Sequence, residues 1–372
     1  MKTLFKTTAL VSAMVIALGC STAPQNTHQT DLNKPTLLAK LPVAFNSPAS
    51  LTIDAYNNVL FTSPNLHNET FLKQDLIKSP AVPVIGLINQ NDTVETWYTF
   101  KPTDMEPTSG TVVPMGIAKG PDGNIYIADM QLWAGGESRI LRVNVKQGQA
   151  VDVDVVAIGL SFPNAVAWHD DNLYITDTVL ATDKGKSTTS GVYKLNINEL
   201  NAEKPVTLAK YQSQQQHDSH LFETFTSNGS LGFGANGLAF DDQGNMFTGL
   251  MEDGTVVKTT IDKNGKKLNS RIFAKGMVAN DGIHWDSHSQ ALYITDLFDN
   301  ALYAISTEGA LTLLAKNGDT TGAMGELDAP GEAIVRGNKV YITNFDAAFG
   351  APNMVNQKPD MPVTLSVIQL ED

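Results

Sequence analysis

A phrase that recurs six times, tight turns built from Asn, Asp and Gly inside the copies, and no long segment with a 3.6-residue apolar period together predict an all-β chain, a six-bladed β-propeller with four-stranded blades around a central channel. Each copy is a small or glycine-containing turn, a short apolar strand, a polar turn, and an aromatic strand that mostly ends in a polar residue.

The first copy is Pro48-Ala49-Ser50-Leu51-Thr52-Ile53 followed by Val59-Leu60-Phe61-Thr62-Ser63. The second is Pro114-Met115-Gly116-Ile117-Ala118 with Ile125-Tyr126-Ile127-Ala128-Asp129, and the third is Pro163-Asn164-Ala165-Val166-Ala167 with Leu173-Tyr174-Ile175-Thr176-Asp177. The fourth joins Ala235-Asn236-Gly237-Leu238-Ala239 to Met246-Phe247-Thr248-Gly249, and the fifth joins Asn280-Asp281-Gly282-Ile283 to Leu292-Tyr293-Ile294-Thr295-Asp296. The sixth pairs Pro330-Gly331-Glu332-Ala333-Ile334 with Val340-Tyr341-Ile342-Thr343-Asn344. Turns such as Pro121-Asp122-Gly123 and Arg336-Gly337-Asn338 supply the residues that tight hairpins require. Weaker strand pairs follow most copies, which makes about four strands per repeat of roughly 45–70 residues. Thr36-Leu37-Leu38-Ala39 and the segment from Val363 to Ile368 are both strand-like, and pairing them closes the ring. The propeller is therefore placed at residues 37–371.

The N-terminus reads as an export signal. Lys2 and Lys6 precede an apolar run from Ala9 to Gly19 that is too short for the roughly 20 residues of a bilayer span. Residues 1–19 are expected to be a signal peptide and Cys20, the only cysteine, the lipidated residue of a bacterial lipoprotein; Ser21 after it fits a periplasm-facing outer-membrane lipoprotein. Residues 20–36, polar and rich in Thr, Gln, Asn and Pro, read as the lipidated Cys and a flexible tether. With one cysteine there is no intrachain disulfide, and a chain of this length buries enough surface without one. The net charge of −13 and the lack of a basic stripe argue against nucleic acid as a partner and leave the lipid on Cys20 as the sole membrane contact of an expected monomer.

Propeller topology decides which residues meet. The residue before each inner strand and the residue ending the second strand are both expected at one mouth of the channel. The first set is Ala49, Met115, Asn164, Asn236, Asp281 and Gly331, with Glu332 adjacent; the second is Ser63, Asp129, Asp177, Gly249, Asp296 and Asn344. The long connections 64–83, 130–138, 178–190 and 345–362 are expected over the same mouth, where loops on a rigid scaffold carry function. Asn164, Asn236 and Asp281 supply oxygen donors at equivalent positions of three consecutive blades, a hard set suited to Ca²⁺ or Mg²⁺. An Asn before a strand also serves simply as an Asx-type turn.

The segments around Asn164, Asn236 and Asp281 resemble the channel motifs of the gluconolactonase, senescence-marker-protein-like family (SMP-30/LRE) of six-bladed propellers, over the whole propeller. The resemblance implies a divalent cation held by Asn164, Asn236 and Asp281, hydrolysis of a lactone or related ester, and Asp281 or another mouth carboxylate as proton acceptor. Family members carry a metal-binding Glu before the first inner strand, where this chain has Ala49; Glu332 of the neighbouring last blade is the candidate substitute. The rival reading is a non-catalytic propeller that binds a small ligand or protein partner, its metal site degenerate.

Of seven histidines, His67 is the one placed on the mouth side and is the candidate general base. Trp133 and Phe349 on mouth loops are candidate walls of an apolar pocket. The lack of a Gly-x-Ser-x-Gly elbow, a phosphate-binding loop or a His-rich zinc pattern argues against serine-hydrolase and nucleotide chemistry.

Overall fold

The computed structural model describes residues 33–183, 186–213 and 217–370. The expected signal peptide, Cys20 and most of the expected tether lie outside the described residues.

The strands form six antiparallel blades, as the repeats predict. Blade one consists of Leu51–Ile53, Val59–Ser63, Val84–Ile88 and Val94–Thr99, in sequence order from the channel outward. The inner strands of the other five are Pro114–Lys119, Pro163–His169, Ala235–Phe240, Asn280–Asp286 and Pro330–Arg336. Neighbouring inner strands touch around the ring, including Leu51–Ile53 against Pro330–Arg336. Blade six is closed by both ends of the chain: Thr364–Gln369 is its third strand, and Thr36–Lys40 pairs with it as the fourth. The propeller thus begins at Thr36, one residue inside the expected tether. Blade two gains a parallel fifth strand, Val206–Thr207, from the connection between the third and fourth strands of blade three, Ser187–Asn196 and Leu221–Ser227.

Each hairpin between inner and second strand places one residue at positive φ: Asn57, Gly123, Asp170, Gly244, Gln290 and Gly337. Asn, Asp and Gly tolerate that region, which is why these turns were legible in the sequence; Gln290 is the exception. The core is layered between blades rather than central. Six apolar clusters each bridge two adjacent blades, for example Leu60, Ile85 and Tyr98 of blade one against Ile117, Ile127 and Leu141 of blade two. A seventh cluster, with Met115, Phe162, Met251, Phe298 and Phe345, lies over the channel mouth.

Two sequence expectations are corrected. Residues 178–190 do not form a long loop: Asn172–Asp183 and Ser187–Asn196 run on as a paired extension of blade three. The acidic residues ending the second strands do not converge on the channel. Asp129, Asp177 and Asp296 are fully buried and accept backbone N–H groups of the segment entering their own blade: Val113 at 2.8 Å, Phe162 at 2.6 Å and Ala279 at 2.9 Å. Asp129 also pairs with buried Arg139 at 2.5 Å. They hold each blade to the loop that feeds it.

Candidate metal centre at the channel mouth

The site begins with an irregularity shared by five blades. Each inner strand shifts register after its first residue, between Pro114 and Ile117, Pro163 and Val166, Ala235 and Leu238, Asn280 and Ile283, and Pro330 and Ala333. Such a bulge leaves a residue unpaired and re-aims it. The bulged positions hold Asn164, Asn236, Asp281 and Glu332, and all four line one pocket in the channel together with Ala49, Ser50 and Met115. Its volume of about 30 Å³ has room for one or two bodies the size of water.

Second-strand threonines fix these bulges across blade boundaries. Thr176 accepts the Ala165 N–H at 2.8 Å and donates to the Asn236 carbonyl of the next blade at 2.7 Å. Thr295 does the same for Gly282 and Gly331, and Thr343 for Glu332 and Ala49. Glycine lets the blades close on one another. A Cβ at Gly237 would sit 2.2 Å from the Asp281 carbonyl, and one at Gly282 would sit 2.5 Å from Glu332 Cγ. The space left by Gly282 is therefore what admits Glu332 beside Asp281.

Glu332 turns into the channel and spans the seam between last and first blades. Its Oε2 accepts the Leu51 N–H at 2.8 Å and the Ser50 hydroxyl. Burial raises its carboxyl to about 7 against the pull of those two donors. Asp281 is pushed higher, to about 8, first by burial and then by the charge of Glu332, against a hydrogen bond from Asn236. Two carboxyl groups enclosed together resist carrying two charges unless a cation lies between them. Two amides and two such carboxyls facing one small cavity form an oxygen donor set that fits a hard divalent ion.

Above this floor lies an apolar vestibule that shares Met115, Asn164, Asn236, Asp281 and Phe345 with it. Trp133 and Phe349 are part of its wall, joined by Phe162 and Phe233, which the sequence reading missed. Trp133 packs edge-on to Phe162 at 5.0 Å between ring centroids, and Phe233 to Phe349 at 5.4 Å. A signal was present: Phe162 and Phe233 both stand just before an inner strand, in blades three and four. Below the floor the channel widens to about 310 Å³, where His284, also missed, lies beside Trp285 and is pushed down to about 4 by burial.

His67 is not brought to the floor. It lies buried in a separate cleft, its Nε2 donates to the Phe345 carbonyl at 2.9 Å, and burial lowers it to about 4. That is a packing post behind Phe345, away from the pocket that holds Asp281.

No protein-family model matches the chain, and no curated protein matches it in sequence. Solved structures do match in shape. A gluconolactonase of Xanthomonas campestris superposes with a TM-score of 0.54 at 14% identity, over 91% of this chain and 90% of that one. The chain is similar in fold to the gluconolactonases. Regucalcin of Agrobacterium tumefaciens, a calcium-binding protein, gives 0.55 at 11% identity, over 91% and 96% of the two chains. The PQQ-bound aldose sugar dehydrogenase of Streptomyces coelicolor gives 0.53 at 15%, over 90% and 98%. One architecture thus serves proteins of different chemistry, and the residues of the channel must decide between them.

Proposed function

We propose that the protein is an exported, divalent-cation-dependent hydrolase of a lactone or related ester, anchored by lipid on Cys20 at the periplasmic face of the outer membrane. The observation that carries the chemistry is the stacking of two layers: an oxygen-donor floor of Asn164, Asn236, Asp281 and Glu332 directly beneath an aromatic vestibule. A gluconolactonase and a calcium-binding protein among its neighbours in fold support the same reading.

The four floor residues would hold Ca²⁺ or Mg²⁺. When bound, such an ion supplies Lewis-acid polarisation of a carbonyl and a lowered pKa for water. The rest falls to the chain. Trp133, Phe162, Phe233 and Phe349 offer ring faces to the apolar side of a small cyclic ester and keep bulk water from it. Asn164 and Asn236 orient what lies on the floor through amide groups that carry no charge. Asp281 borders both layers and is placed to take the proton of an attacking water. Glu332, tied down by Ser50 and Leu51, keeps negative charge at the place where Ala49 offers none.

The test is calcium and magnesium titration of the purified chain, followed by a screen of lactones and aryl esters. An ion that binds only the native state adds about 2.7 kcal/mol of stability at a hundredfold excess over its dissociation constant. Asp281→Asn should remove that gain and lower kcat/KM by about a hundredfold or more. No effect of either ion on melting, with no turnover of any ester, would leave a ligand-binding propeller instead.

A further inference from the structure

A second group of oxygen donors lies in blade six, apart from the channel floor. Asp328 precedes the inner strand, Asp346 follows the second, and Asp360 ends the connection that runs over the mouth; one carboxylate oxygen from each lies within 4.8 Å of the others. Asp328 and Asp346 are 3% and 2% exposed. Among the described residues, none of the three forms an ion pair with Lys, Arg or His. The surrounding charge is mostly of the same sign: Asp319 and Glu326 add to the repulsion, and Lys358 alone relieves it, at Asp360. Buried charges are stable when paired or bound to metal.

The independent observation is at Asn356. This side chain is 2% exposed and donates through Nδ2 to Asp346 Oδ1 and to the Ala347 carbonyl, both at 2.9 Å. Its Oδ1, on the amide whose Nδ2 holds Asp346, is buried and accepts no hydrogen bond. The Oδ1 atoms of Asp328 and Asp360 are likewise buried without a donor. Asp346 is answered by protein donors, the Asn356 amide at Oδ1 and the Asp360 N–H at Oδ2, 2.7 Å away, whereas the buried Oδ1 atoms of Asp328, Asp360 and Asn356 have none.

We infer that Asp328, Asp346, Asp360 and Asn356 form a second cation site, selective for Ca²⁺, that pins the 345–362 connection. Carboxylate and amide oxygens from flexible loop positions are the donors that calcium takes, whereas magnesium keeps more of its water. Its position gives the site a task. Phe345 and Phe349, at the start of the connection, wall the vestibule, and Met354 belongs to the apolar cluster over the channel mouth that lines it. Asp346, Asn356 and Asp360 lie along that connection and Asp328 anchors it to the blade, so the cation fixes the loop that shapes the vestibule.

The full chain, stripped with chelator, is titrated with calcium chloride by calorimetry, alongside Asp328→Asn, Asp360→Asn and Asp281→Asn. Both blade-six variants should weaken one binding event by at least about tenfold, because ligand charge sets calcium affinity. Asp281→Asn should leave that event in place, which separates this site from the channel floor. Limited proteolysis gives a second reading: calcium should protect residues 347–362 in the wild type and in Asp281→Asn, and not in Asp360→Asn, whose altered position is the least buried of the three. Calcium binding and loop protection unchanged in both Asp328→Asn and Asp360→Asn, or all calcium binding lost in Asp281→Asn, overturns the inference; the carboxyls would then share protons.

Discussion

At the scale of single residues, the environment of a side chain sets its task more than its type does. His67 is an ordinary candidate base by type, but packing against Phe71 and Phe345 removes it from water and lowers it to about 4. A histidine lowered below its usual 6.5 favours the folded state fully above pH 6.5, and that contribution is lost as the pH falls through 4. His67→Gln preserves a donor for the Phe345 carbonyl and removes the titration. Urea unfolding of both forms at pH 7 and pH 4.5 should show the wild-type advantage shrinking by about 2 kcal/mol, each pH unit in the window being worth about 1.4 kcal/mol. Taking the difference between the two forms cancels the opposing effect of the raised carboxyls. A pH-independent difference would show that His67 is not held neutral by the fold. Asp281 and Glu332 illustrate the same point in reverse: carboxyls of ordinary type are pushed towards neutrality because the channel encloses both.

At the scale of the element, four of the six blades carry a device that reaches into the neighbour. The second-strand threonine accepts an N–H at the start of its own blade's inner strand and donates to a carbonyl of the next blade's inner segment, in blades one, three, five and six. Blade two has Ala128 at the corresponding place, opposite Gly116, and blade four has Gly249, opposite Gly237, so the device is not needed everywhere. Where it exists, its loss strands a buried N–H and a buried carbonyl. Thr176→Val, nearly isosteric, should therefore cost about 1–3 kcal/mol in chemical denaturation and loosen Asn236 on the floor, seen as weaker calcium binding. Stability equal to wild type would mean that the bulges hold by backbone pairing alone. These elements also show what a sequence can and cannot disclose. Blade number, hairpin turns and the floor positions Asn164, Asn236, Asp281 and Glu332 were legible because a repeat fixes register, and register fixes which residues share the channel. Asp129, Asp177 and Asp296 were misplaced because their side chains turn back to the entering loops, a choice that the repeat leaves open. Phe162, Phe233 and the Asp328–Asp346–Asp360 group escaped notice because they meet along loop paths outside the repeated phrase.

At the scale of the whole molecule, the propeller depends on a closure made by its two ends. Blades one to five each take their four main strands from a single stretch of chain, but blade six draws Thr36–Lys40 from the far end of the chain to cover Thr364–Gln369. Without that strand the third strand of the blade becomes an open edge, with unpaired backbone groups that invite other chains. More than one layer of packing goes with it. Leu38 and Ala39 pack on the cluster that joins blades six and one, which includes Phe61, Ile334 and Leu365, and the Asn33 N–H reaches the Leu314 carbonyl of blade five at 2.9 Å. Because the seam between blades six and one is where Glu332 meets Ser50 and Leu51, loss of closure should also reach the channel floor. Two truncations isolate the effect: a chain starting at residue 33 keeps the strand, and one starting at residue 41 lacks it. The shorter form should melt roughly 5–10 °C lower and aggregate on heating, the size expected when a domain of this class loses a few kcal/mol. It should also bind calcium more weakly than the longer form, because the edge and the site share a seam. Equal melting temperatures would mean that the three remaining strands hold blade six in place and that inter-blade packing alone closes the ring.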